Sequence, residues 1–374
     1  MLETLQANKD KQLIAVTVVL MGIGLLMVYT SSAGLGAAKG EGDLHHFFRN
    51  QAARALIAFA AMAFAMNLDY HRYEKFAPYV LLVSFAALAS VLIPGVGREI
   101  RGSSRHIGQF PVQPSELAKF SVVLYLAVFL SKKGDIGSLK RGVIPSFVVI
   151  LVAALLTLLQ PSLGGAVAII LIGVAVVYAA GIRLRYVGAL LGVGALAAVA
   201  AIFKNPYQLA RILNFIGDGA NYQVKQSLLA LGTGGLIGKG PGGSMQKYLF
   251  LPDPHTDFVF AIFGEETGFV GALLLVSMFV FLLLRGLRIA ANAPDRFGHI
   301  LATGLVACVG VFFVLNIGVV TGLLPTTGQP LPFISYGGSA LLINAVCVGV
   351  LLNISGHRSG ETAPFAKTRW RKRL

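Results

Sequence analysis

Ten stretches of nearly unbroken apolar residues, separated by polar segments, set the rhythm of this 374-residue chain. They run from Leu13 to Tyr29, Leu56 to Leu68, Ala77 to Leu92, Pro114 to Leu130, Val143 to Leu159, Ala166 to Ala180, Tyr186 to Phe203, Phe258 to Leu284, His299 to Val320 and Ala340 to Ile354. Several approach or exceed the roughly 20 residues an α-helix needs to cross a bilayer, and barrel strands would alternate instead. The pattern predicts an all-α integral membrane protein of about ten transmembrane helices. One gap, residues 204–257, reads as a large extracytoplasmic or re-entrant loop between spans 7 and 8.

Composition agrees, with 56% hydrophobic and 13% charged residues and a mean hydropathy of +0.75. The net charge of +15 would suggest nucleic acid in a soluble protein. Here it follows from basic residues gathering in cytoplasmic loops. Residues 1–12 are then a cytoplasmic amino terminus, 13–355 a single ten-helix domain and 356–374 a basic cytoplasmic tail, in a multi-pass membrane protein. The first run is long for a signal peptide and is read as a retained helix. Cys308 and Cys347 both fall in apolar runs and read as small buried residues without a disulfide or metal role.

Nine basic residues break the charge rule. Arg98, Arg101, Arg105, Lys119, Lys204, Arg211, Lys225, Lys239 and Lys247 fall on the predicted outer side. An anionic ligand handled there is a physical reason to tolerate them. Within the same loop, Gly232 to Gly240 is rich in glycine but fails the phosphate-loop spacing, with Thr at 233 and Gly at 240. No nucleotide is expected; the glycines permit a compact re-entrant loop.

The loop ends at His255-Thr256-Asp257. Thr256 is a natural N-cap, and Asp257 at a first helical position would face the positive helix end. On that phase Ala261, Gly264, Glu265 and Gly268 share its face, and burial or a nearby Glu265 would help raise the acid's pKa. Glu116 and Lys119, spaced i, i+3 after Pro114, read as an ion pair inside an apolar span. Residues Pro325 to Ser339 hold three prolines and three glycines, which precludes a continuous helix. Gln160-Pro161-Ser162 is a shorter break.

Together, His255-Thr256-Asp257-Phe258 with Gly264-Glu265-Glu266, Gln113 through Lys119, Gln160-Pro161 and Leu331 through Ser339 resemble the SEDS family (shape, elongation, division and sporulation) over nearly the whole chain. The Gly264-Glu265-Glu266 and Leu324-Pro325-Thr326 wording is nearer to FtsW-type than RodA-type members. The resemblance implies a polymerase that joins lipid II disaccharides into peptidoglycan outside the membrane. It matches Asp257 to the family's essential acid and Arg105, Glu116 and Lys119 to its central cavity. Lys239, Lys247, Glu265 and Ser335 are further candidates for substrate contact. His106, Pro111 and Ser162 depart from common family residues.

The expected chemistry is inverting glycosyl transfer with undecaprenyl diphosphate leaving, in cell division or, alternatively, in elongation. A divalent cation, magnesium or manganese, would suit that leaving group, although no compact ligand cluster stands in the sequence. The partners implied are a class B penicillin-binding transpeptidase and other division or elongation membrane proteins. A lipid II flippase is the competing class. It would need polar groups at several depths, whereas the broken loops and basic exceptions here fall on one side.

Overall fold

The computed structural model describes residues 9–39, 46–93, 97–100, 103–107, 113–134, 137–160, 162–217, 222–248, 251 and 255–357. Twelve α-helices are found there: α1 (Lys11–Lys39), α2 (His46–Asn67), α3 (Tyr73–Ser90), α4 (Pro114–Lys132), α5 (Ile144–Leu159), α6 (Leu163–Ala180), α7 (Leu184–Lys204), α8 (Pro206–Ile216), α9 (Tyr222–Thr233), α10 (Val259–Ala291), α11 (Arg296–Val320) and α12 (Gly338–Gly356). Each of the ten apolar runs lies on a helix. Eight helices among the described residues are long and apolar enough to cross a membrane, and α2 with α3 form a pair bent by 95° that makes nine if counted as one span. The expected ten is thus not reached by length and apolarity. The bend comes at Asp69, whose carboxylate accepts from the His71 amide and starts a 3-10 turn, Tyr70–Arg72.

A short antiparallel hairpin, β1 (Gly97–Ile100) and β2 (Ser103–Ile107), departs from the purely helical expectation. The long loop also carries structure, in α8 and α9. Helices α4, α11 and α12 occupy the enclosed centre, and α7 stands at the periphery. Small residues bring the central helices together, as apolar lipid supplies little force between them. Gly304 of α11 sits against Val123 of α4 and Val176 of α6, and Gly349 of α12 against Ala65 of α2. Cys308 and Cys347 are buried and free. Most of the basic tail lies outside the described residues.

Candidate active site

Asp257 does not begin a helix. Residues 255–258 form a turn, α10 starts at Val259, and its N-cap is Phe258 with no side-chain cap. The reason is that three successive carbonyls before the helix are already engaged by other segments. His255 O accepts from the Tyr336 amide at 2.8 Å. Thr256 O accepts from Ser335 Oγ at 2.7 Å, and Asp257 O from Asn316 Nδ2 at 2.7 Å. The second Asn316 amide hydrogen serves Gln329 O at 2.9 Å. Asp257 therefore lies partly exposed on a segment whose backbone is fixed from α11 and from the Pro325–Gly337 loop.

That loop is itself held. Ser335 Oγ accepts from the Leu331 amide at 2.8 Å, and Arg211 of α8 donates to Thr326 O at 3.1 Å. Phe333 adopts a left-handed φ of 65°, uncommon for a bulky residue and costly unless its surroundings enforce it. Phe47, His255 and Tyr336 pack ring against ring at 5.2 to 5.7 Å beside the turn. The Arg54 guanidinium lies 4.7 Å from the Tyr336 ring centre. Ser335, a candidate for substrate contact, is buried and braces the turn.

Glu116 and Lys119 do pair, at 2.6 Å with both side chains almost fully enclosed. They meet off the hydrogen-bonding angle, and Lys119 Nζ also lies 3.5 Å from the Phe312 ring centre. Phe312 precedes Asn316 by one turn of α11, so the pair sits roughly 6 Å deeper along the helix than the Asn316 brace. Ser339 Oγ accepts from the Gln113 amide at 2.9 Å, tying the start of α4 to the first turn of α12, just beyond the same loop.

The other candidates form a separate structure. At Gly268, with φ 70° and ψ −171°, α10 breaks. The Phe269 and Val270 amides, which helix geometry would aim at Glu265 O and Glu266 O, donate to Gly235 O at 2.8 Å and Leu236 O at 3.1 Å. Lys239 and Gly240 amides take the vacated carbonyls at 3.0 Å each. The Gly-rich loop is therefore stitched into the kink by exchange of two helical hydrogen bonds. Only glycine fits: a Cβ at Gly238 would fall on Glu266 O, and one at Gly268 on the Gly238 amide.

Side chains close the same seam. Glu265 is fully buried and accepts from Lys239 Nζ at 2.6 Å, Thr233 Oγ1 at 3.2 Å, Ser244 Oγ at 2.5 Å and the Met245 and Gln246 amides. Lys247 is buried, lies 3.5 Å from Glu266 Oε1 and donates to Gly242 O. Glu265 is thus engaged by the loop and not by Asp257, and Lys239 and Lys247, expected to meet a diphosphate, carry internal ion pairs with Glu265 and Glu266. A charge-rule exception is here an internal counterion, because a buried carboxylate requires one.

Arg105 lies in β2, and Arg98 pairs with His106 across the hairpin. Their side chains, Arg101 and Pro111 lie outside the described residues. Lys204 and Lys225 are exposed. Gln160 reaches Leu88 O at 2.8 Å and joins the ends of α5 and α3. Among the described residues no three His, Cys, Asp or Glu side chains come together as a metal site. Asn316 escaped the sequence reading, although an amide within the apolar run His299–Val320 was its signal.

A bundle of membrane-crossing helices, with one acid on a braced turn above a buried ion pair, defines a polytopic membrane protein with a site at one end. The FtsW/RodA/SpoVE family of cell cycle proteins matches residues 11–360, and the chain belongs to this SEDS family and is a glycosyltransferase. Stage V sporulation protein E of Bacillus subtilis is 40% identical over 361 residues, covering 94% of this chain and 98% of that one. A probable peptidoglycan glycosyltransferase FtsW of Geobacter sp. is 39% identical with the same coverage. A solved chain of a peptidoglycan synthase complex superposes with a TM-score of 0.76 at 27% identity, covering 94% of this chain and 99% of that one. Thermus thermophilus RodA gives 0.70 at 26%, covering 94% and 98%. The chain is FtsW-like, as the sequence wording anticipated, and is a multi-pass bacterial membrane protein.

Proposed function

We propose that this chain polymerises lipid II into peptidoglycan glycan strands at the extracytoplasmic face, in cell division, with both termini cytoplasmic and a class B penicillin-binding transpeptidase as partner. Asp257 is the general base. It takes the proton of the acceptor sugar hydroxyl as that oxygen attacks the donor's anomeric carbon. The bond from that carbon to the diphosphate oxygen breaks, and undecaprenyl diphosphate leaves with the electron pair and inverted stereochemistry at the anomeric carbon. The FtsW name of the relatives supports the division role, and the peptidoglycan synthase title of the structural neighbour supports a partner.

The observation that carries the reading is the brace on Asp257. Three consecutive carbonyls fixed from two other segments hold the acid's backbone in one place. A general base is worth roughly 100- to 10,000-fold in rate. Purified Asp257→Asn protein supplied with lipid II should therefore form no detectable glycan strands while unfolding at the parent temperature. Polymerisation near the parent rate would remove Asp257 from the mechanism.

A further inference from the structure

We infer that Asn316 is a positioning residue for the reaction: its side-chain amide fixes the peptide that carries Asp257. The inference rests on the general-base reading of Asp257. Asn316 lies on the last turns of α11 and is 1% exposed. Both of its amide hydrogens are used, one on Asp257 O and the other on Gln329 O, 59 and 13 residues away in sequence. Its own Oδ1 is buried without a hydrogen-bond partner.

The chemistry needed is specific. Two carbonyl oxygens converge on one nitrogen, and only a primary amide at this reach offers two donors from a single atom. Aspartate would place a carboxylate against both oxygens. Leucine would match the volume and donate nothing. Glutamine would carry the same donors one methylene farther out. Of the three ties on residues 255–257, the Asn316 bond is the one on the acid's own carbonyl and fixes the peptide on the C-terminal side of its Cα, as Ser335 fixes the peptide on the N-terminal side. Ser335 and Tyr336 hold its two predecessors. Losing the Asn316 tie frees the Asp257–Phe258 peptide plane to rotate while the fold keeps its other anchors.

Two assays on the full-length protein test this. In lipid II polymerisation, Asn316→Leu should lower kcat by roughly 100-fold, the scale of a small displacement of a catalytic group, and leave KM within about 2-fold. Asn316→Gln should recover part of the loss. In an Asp257→Cys background, where Cys308 and Cys347 are buried, Asn316→Leu should change the rate of alkylation by a water-soluble maleimide by several-fold, and Asn316→Gln by less. Parent kcat in Asn316→Leu, or an alkylation rate unmoved by it, would overturn the proposal. If Asn316→Leu does not fold, Asn316→Gln decides alone: parent values in both assays reject the brace, and a lower kcat with altered alkylation supports it. An active Asp257→Asn enzyme would end the general-base reading and with it any catalytic role for Asn316, whereas altered alkylation would still show that Asn316 holds the turn.

Discussion

At the Asp295 end of α10 and α11 carboxylates are met by side chains as well as by backbone, whereas at the Asn316 end the side chains that fix the Asp257 turn reach backbone alone. Asp295 caps the Gly298 amide at 2.6 Å, accepts from Tyr70 Oη at 2.6 Å and meets His71 Nε2 at 2.8 Å. Asn353 accepts from the Tyr70 amide and donates to Met66 O. Asp10 takes the Leu13 amide on one oxygen and Arg285 on the other, the latter at 2.6 Å. Both oxygens of each carboxylate are used. At the opposite end Asn316 Oδ1 and Thr327 Oγ1 are buried without partners, and Phe333 is held at positive φ. Carboxylates engaged on both oxygens lock helices together, while an enforced dihedral such as that of Phe333 marks a place arranged for something besides stability. One end is a lock and the other is a mount.

The largest effect should come from the ion pair beneath the mount. Lys119→Met leaves Glu116 buried without its cation and should cost about 3–5 kcal/mol, read as a large fall in unfolding temperature. The Glu116→Gln, Lys119→Met double variant should be milder in stability, and retention of full polymerase activity by it would make the pair purely structural. Next comes the stitched kink. Gly268→Ala forces a Cβ onto the Gly238 amide at a left-handed φ and should cost about 1–3 kcal/mol. Limited proteolysis should then cut within 234–246. A variant as resistant as the parent would mean that the seam closes by side chains alone.

Asp295→Asn should cost about 1–3 kcal/mol through the weakened Tyr70 and His71 contacts, with kcat unchanged. A tenfold fall in kcat would erase the distinction between the two ends. Smallest is a pH effect at Asp69. Burial acts to raise its pKa, but hydrogen bonds from His71 prevail and hold it below the ordinary 3.8. Its contribution is therefore complete above that value and disappears as pH falls through the lower folded one. Thermal unfolding followed from pH 5 downward should lose this increment in the parent and not in Asp69→Asn. Identical acid profiles would remove Asp69 from the lock.

The apolar runs, the breaks at Gln160 and Pro325–Ser339 and the Glu116–Lys119 pair were legible in the sequence because each depends on neighbours within a helical turn or on composition over a span. Lys239 and Lys247 were read only as cations for an anionic ligand because their ion-pair partners, Glu265 and Glu266, stand 26 and 19 residues further on. The helix start was misplaced for the same reason, since Thr256 and Asp257 form a good local cap until Ser335 and Asn316 engage their carbonyls from 79 and 59 residues away. Local periodicity and composition settle which segments enter the bilayer, because a helix satisfies its own backbone there. Which acid is mounted and which are clasped was settled only by tertiary structure, because those hydrogen bonds join segments whose approach leaves no periodic trace in the chain.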